Sequence, residues 1–360
     1  MSPSIIAGSP IFINEATRSA EDAKLTQFVK PQNQEVKQNA YQWKIVWRNV
    51  FAFIYLHYAV LHGLYFVFTR NVLLTLGWNL FLAFLVSQGI TAGAHRLWAH
   101  KAYKANLPLR ILLAFCFTIA FQDDIHQWAR DHRTHHKFCD TDADPYNAKR
   151  GFFFSHMGWL ITRKHPEVKA KAKSVDMSDI LADPVVRFQR KYYLILMPIC
   201  CFVMPTLVPY YFWNESFVVA WNLSLMRYAV TLHATWLVNS AAHIYGDKPF
   251  DKNITPRENR FVSILTCGEG WHNYHHVFPW DYKASELGFQ KLNVTAGIIE
   301  FFARIGWAFE LKTVSEDMVR RRAKRTGDGS HEGEYWGWGD KDMSKCEQNE
   351  IVTFNNLKKF

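Results

Sequence analysis

Patterned cysteines are missing from this chain. Its 360 residues include 6 cysteines, of which Cys116, Cys200 and Cys201 lie in apolar runs and Cys139, Cys267 and Cys346 in polar ones. With no paired spacing, a disulfide-stapled fold is excluded and reduced thiols are expected. The chain also lacks an HExxH metalloprotease motif, a GxSxG nucleophile elbow and a Walker sequence. These absences argue against the zinc-protease, serine-hydrolase and nucleotide-hydrolysing classes. Gly268-Glu269-Gly270 is a lone fragment of a glycine pattern and carries no nucleotide-binding weight. The polar N-terminal segment, with Lys24, Lys30 and Lys37, predicts no cleavable secretory signal.

What is present is apolar and aromatic. Hydrophobic residues make up 49% and aromatics 16% of the chain, yet the mean hydropathy is only −0.15, so the apolar residues are concentrated in runs. Four runs approach the roughly 20 residues that cross a bilayer: Val50–Phe68, Val72–Gly93, Tyr193–Trp213 and Phe217–Val238. Three-residue connections make each consecutive pair a hairpin, Thr69-Arg70-Asn71 in one and Asn214-Glu215-Ser216 in the other. A further run, Leu107–Phe121, reads as an interfacial or buried helix. The formal charge of +10 fits a cytosolic excess of Lys and Arg better than a nucleic-acid partner, and none is expected. The connections hold a single Arg, so the N-terminal, middle (94–192) and C-terminal (239–360) segments are predicted to face the cytosol.

Every histidine cluster falls in those segments or at the cytosolic end of a span. The clusters are His95 and His100; His132, His135 and His136; His243; and His272, His275 and His276. In HRTHH and HNYHH the imidazoles stand at i, i+3 and i+4, on one helical face. His95 and His100 are five apart, about 140° around an α-helix, so the helix ends between them or they approach from different angles. Asn239 lies four residues before His243. So many imidazoles exceed one octahedral ion and suit two first-row transition metals. An isolated histidine is most often a satisfied core or surface residue, and His57, His62, His126, His156, His165, His233 and His331 are read that way. Asp123, Asp131, Asp140, Asp144 and Glu269 are candidate acceptors for the outer ring nitrogens. Zinc, with four ligands or three plus water, is the competing metal. A transporter would carry its histidines inside the spans, and these lie outside.

The succession TAGAHRLWAH, WARDHRTHHKF, NSAAH and GEGWHNYHHVFPWDY resembles the membrane-bound acyl-CoA desaturases of the stearoyl-CoA desaturase type. HVFPWDYKASELG is similar to insect members. The resemblance runs through residues 43–331, leaving 1–42 and 332–360 as mobile tails. It implies an all-α integral membrane protein, with four transmembrane helices and a cytosolic helical cap holding a dimetal site. It also implies the endoplasmic reticulum membrane with both termini cytosolic, and a bent tunnel for the acyl chain. By motif match, two irons would be held by His95, His100, His132, His135, His136, His243, His272, His275 and His276, with Asn239 reaching one through water. The family's coenzyme A contacts would fall on Asn49, Arg130, Asp131, Arg163, Lys164 and Trp236. At FQDD the vertebrate pattern is FQND, which puts Asp123 at a substrate-contacting position.

Removing hydrogen from an unactivated methylene is beyond any side-chain acid or base, so the metals and O2 must do it. A histidine-box hydroxylase would use the same metals; NSAAH and WARDH favour desaturation. No haem, flavin or nicotinamide motif is present, and the resemblance implies cytochrome b5 and its reductase as separate partners. The expected substrate is a saturated C16 or C18 acyl-CoA and the expected bond Δ9, with Δ11 or another position as the alternative. Asn79, Phe81 and Ala83 are expected to shape the blind end of the tunnel.

Overall fold

Long apolar runs with few breakers build the first hairpin. Helix α1 is Trp47–Thr69 and helix α2 is Leu73–Gln88. The computed structural model describes residues 42–286, 293–331 and 345–350. The expected tails lie outside the described residues, apart from Gln42 and a short helix at Lys345–Glu350. The elements below belong to one unit, Trp43–Phe360. On α1, Phe51, Ile54, Tyr58 and Leu61 point outward and exposed, an apolar face that suits lipid rather than water.

Beyond α2 the helix widens into a π-helix, Gly89–Ala99, whose residues are all buried. The expected span end at Gly93 is therefore passed, because the i→i+5 closure carries the helix on to Ala99. Helix α3, Leu107–Ile119, is capped by the Asn106 side chain, which accepts from Leu109 N at 3.1 Å. It buries Leu109, Leu113 and Phe117 and exposes Ile111, Leu112 and Phe115. Gly89 lets the two backbones meet: a Cβ there would stand 2.2 Å from Phe117 N.

Helix α4, Ile125–Phe138, starts at Asp124, whose carboxylate accepts from Gln127 N. Helix α5, Pro184–Pro198, begins well before the expected span at Tyr193. Asp183 caps it, accepting from Val185 N at 2.9 Å, and Pro184 fits the first turn. It continues through a π turn, Ile199–Val203, into Met204–Phe212. Pro205 has no N–H for the preceding turn, and the Cys201 carbonyl instead accepts from Arg227 Nη2 at 2.9 Å.

Helix α6, Phe217–Asn239, lies along α1, where Gly63 stands close to Met226. Among the described residues, three helices are long and apolar enough to cross a membrane: Trp47–Thr69, Leu73–Ala99 and Pro184–Phe212. The stretch expected as a fourth span is α6, 23 residues long like α1. Its lower apolarity comes from Asn222, Ser224 and Arg227, which are buried. The remaining elements are short, including helix α7, His272–Val277, and helix α8, Val294–Arg304. One two-residue antiparallel pair, Lys104–Ala105 with Ala308–Phe309, is the sole sheet among the described residues of a largely helical fold.

Candidate metal centre

The π-helix resolves how His95 and His100 share a target. His100 N donates to His95 O at 3.1 Å, the i→i+5 bond of a π turn. In such a turn residue i+5 bonds to residue i as i+4 does in an α-helix, and the His95 and His100 ring centroids lie 4.9 Å apart. Helix α4 turns His132, His135 and His136 inward. His243 comes from the short helix Ala241–Ile244 that follows α6, and α7 opens on His272. Gly270 seats α7 against the helix Arg260–Leu265, since a Cβ there would lie 2.2 Å from Ser263 N.

The ring nitrogens fall into two groups. His95 Nε2 is 2.9 Å from His275 Nε2, which is 3.0 Å from His136 Nε2, and His100 Nε2 is 2.8 Å from His132 Nε2. Donor atoms of these five residues lie within 4.8 Å of one another. The second group joins His135, His243 and His276, with Cys139 nearby. His272 Nε2 stands 3.1 Å from both His243 Nε2 and His276 Nε2. Two imidazole nitrogens bound side by side to one ion at ~2.1 Å stand about 3 Å apart. The spacing fits that arrangement, and His135 Nε2 is buried without a protein partner. Burial pulls His100, His132, His136, His272, His275 and His276 well below the ordinary imidazole range, and their mutual repulsion adds to it. Neutral rings with free Nε2 lone pairs are the form that ligates a metal.

The outer nitrogens meet carboxylates. His135 Nδ1 is 2.9 Å from both oxygens of Asp144, His243 Nδ1 is 3.1 Å from Asp140 Oδ2, and His95 Nδ1 is 2.8 Å from Glu269 Oε2. The contacts at His135 and His243 are hydrogen bonds and set the tautomer that leaves Nε2 free, whereas Glu269 meets His95 as a close charge rather than in hydrogen-bond geometry. Burial alone would raise the Glu269 carboxyl, but Arg96 and His95 hold it down at about 2. Burial lowers His135 too, yet Asp144 outweighs it and the ring is raised. Asp123 and Asp131, the other two candidate acceptors, line a cavity instead.

Two cavities meet at the histidines. One, of about 450 Å³, is lined by Arg48, Asn49, Asp123, Asp131 and Trp236 and reaches down to Phe202 and Trp221. The other, of about 300 Å³, runs past His95, His132, His135 and His272 to Ala83, Phe84 and Val230. Trp128, His132, Thr235 and Asn239 line both. Gln122 Nε2 donates to Thr235 Oγ1 at 3.0 Å beside that junction. Among the residues expected at the blind end, Ala83 is in the wall, whereas Asn79 and Phe81 are not among its lining residues.

Of the expected coenzyme A contacts, Asn49, Asp131 and Trp236 share one cavity wall, with Asp123. Asn49 Nδ2 donates to Leu160 O at 2.7 Å. Lys164 forms an ion pair with Asp131. Arg130 Nη2 donates to Gln127 Oε1, and neither Arg130 nor Arg163 is among the lining residues. Sequence reasoning missed Arg48, Gln122, Trp128, Tyr146, Trp159 and Thr235, which also line the walls. Trp128, Tyr146 and Trp159 look like core and Arg48, Gln122 and Thr235 like ordinary polar residues, and no spacing singles them out. The isolated histidines include a chain: His57 Nε2 to His233 Nε2 at 3.2 Å, His233 Nδ1 to His156 Nε2 at 2.9 Å, and His156 Nδ1 to Ser240 Oγ at 2.9 Å. His233 uses both nitrogens, so these rings tie three elements together rather than share an ion.

Residues 70–290 match the fatty acid desaturase family. The chain belongs to that family. It is 60% identical over 304 residues to an acyl-CoA Delta-9 desaturase of Acheta domesticus, covering 84% of each chain. It is 54% identical over 308 residues to an acyl-CoA Delta(11) desaturase of Spodoptera littoralis, covering 86% of this chain and 90% of that one. A second Acheta domesticus relative, an acyl-CoA Delta12-desaturase, is 53% identical over 316 residues, or 88% of each chain. The chain is thus a desaturase of the acyl-CoA type, with insect relatives among its matches. Its histidine clusters have the donor chemistry and spacing that could hold a metal ion.

Proposed function

We propose that this desaturase places a cis double bond at Δ9 in saturated C16 or C18 acyl-CoA. The observation that carries the reading is the pair of cavities joined beside His132, with Arg48, Asp123 and Asp131 in the wall of one and the apolar Ala83, Phe84 and Val230 in the wall of the other. A long chain threaded through both would lay its middle carbons against the imidazoles, held by Trp128 and bent at Gln122 and Thr235. Its thioester end would lie near Asn49 and Trp236. Arg130, Arg163 and Lys164 would neutralise coenzyme A phosphates, which guanidinium and ammonium groups bind well.

Two irons would be held by His95, His100, His132, His136 and His275 on one side and His135, His243, His272 and His276 on the other, with Asn239 reaching the second through water. When bound, the irons supply with O2 the oxidising power that strips hydrogen from an unactivated methylene. The protein residues fix which carbons lie there, exclude bulk water and keep most of the ligating rings neutral. Electrons would come from cytochrome b5 and its reductase, since the chain has no haem, flavin or nicotinamide motif of its own. Helix α6 would be the fourth span, completing two hairpins with both termini cytosolic in the endoplasmic reticulum membrane. Δ11 is the second reading, favoured by the similarity to a Delta(11) enzyme.

The test uses the purified full chain in lipid nanodiscs with cytochrome b5, its reductase and NADH. Two irons per chain and a monounsaturated acyl-CoA product are expected. The combined His132→Ala, His135→Ala, His136→Ala variant should lose both iron and product. Undiminished product from that variant contradicts the assignment.

A further inference from the structure

The two halves of the histidine cluster differ in the charge behind them. His135 and His243 donate through Nδ1 to Asp144 and Asp140. Besides those imidazoles, Asp144 accepts from the backbone N–H groups of Asp140 and Tyr146, at 2.8 and 2.9 Å. Asp140 accepts from Ala148 N at 2.6 Å and from the Thr255 hydroxyl. All these donors are neutral, and among the described residues no lysine or arginine is paired with either carboxylate. The other half differs. There, among the described residues, the one carboxylate contact is Glu269 against His95, and Arg96 neutralises it through bonds of 2.7 and 3.1 Å. Arg96 is itself 1% exposed and is held by Asn293 and the Tyr282 carbonyl.

An imidazole that donates to an uncompensated carboxylate is a stronger, more anionic donor than one beside a neutral ion pair. In a water-poor interior those charges are weakly screened, so their effect on a nearby ion is large. We propose that the two metal positions are electronically unequal, with Asp140 and Asp144 as positioning residues for one of them. They make the position formed by His135, His243, His272 and His276 the one that favours the trivalent ion. The Arg96–Glu269 pair leaves the His95, His100, His132, His136 and His275 position more easily kept divalent. The inference rests on the diiron reading above.

The test is a redox titration of the full chain, loaded with 57Fe in nanodiscs and followed by Mössbauer spectroscopy. Wild type should oxidise in two resolved steps, one iron signal before the other. D140N and D144N should bring the steps together by delaying the first, while E269Q keeps them resolved. D144E should restore the separation, which a merely structural role for Asp144 would not predict. Because Asp144 also anchors its loop, D140N carries the test if D144N fails to fold. A single step in wild type, or an E269Q variant that alone merges the steps, overturns the inequality and leaves the desaturase reading standing. Failure of the wild-type chain to bind iron overturns both, and assayed product in the same preparation separates the two failures.

Discussion

At the scale of single residues, function rests on ring tautomers and a few buried charges. Replacing His275, whose Nε2 stands near both His95 and His136, with Ala should remove one metal and lower turnover more than about 100-fold; metal analysis and product assay check this. Asp144→Asn leaves Nε2 of His135 in place but weakens its orientation, and such changes cost about 10–100-fold in affinity or activity. Asp123 titrates differently. Burial raises its carboxyl above the ordinary range, Asp131 adds to that, and Lys164 opposes it. A carboxyl raised in the folded state costs stability once pH exceeds its unfolded value of about 3.9. Asp123→Asn should therefore raise the melting temperature at pH 7, with the gain shrinking as pH falls through the raised value and vanishing below about 3.9. Asn also tolerates the positive φ of 67° there. A melting curve across pH that shows no such convergence contradicts this role. Three of five candidate acceptors, Asp140, Asp144 and Glu269, could be picked from sequence and do meet ring nitrogens. The other two, Asp123 and Asp131, could not be told apart from them, because a carboxylate that faces a cavity and one that faces a ring look identical in one dimension.

At the scale of elements, close backbone approach and a widened helix set the geometry. Gly89→Ala would drive a Cβ to 2.2 Å from Phe117 N, and the displacement of α3 should cost at least about 1–3 kcal/mol, measurable by thermal unfolding in detergent. Ala83 lines the apolar end of the second cavity, so Ala83→Phe should shift products toward shorter chains, about tenfold or more in C16 over C18. An unchanged product ratio would place the end of the acyl chain elsewhere. Helical histidine spacing in HRTHH and HNYHH was legible because i, i+3 and i+4 share a face. The π-helix at TAGAHRLWAH was not, since a choice between i→i+4 and i→i+5 bonds leaves no pattern in residue type. The early start of α5 at Pro184 escaped a hydropathy reading for another reason. Arg187, Arg190 and Lys191 are charged, yet a capped helix runs through them.

At the scale of the whole molecule, an apolar exterior, a cluster of buried imidazoles and a joined pair of cavities converge on one reaction. Hydropathy located three of the four expected spans, and the polar interior of α6 blurred its standing as the fourth. The cavity walls stayed hidden because Trp128, Trp159 and Tyr146 are indistinguishable from core residues until the chain is folded. The most direct measurement is expression of the chain in yeast lacking its own Δ9 desaturase, with double bonds mapped by mass spectrometry. New palmitoleate or oleate, lost in the His132, His135 and His136 variant, is the predicted result. Protein that is present with its electron donors but forms no unsaturated product would contradict the account.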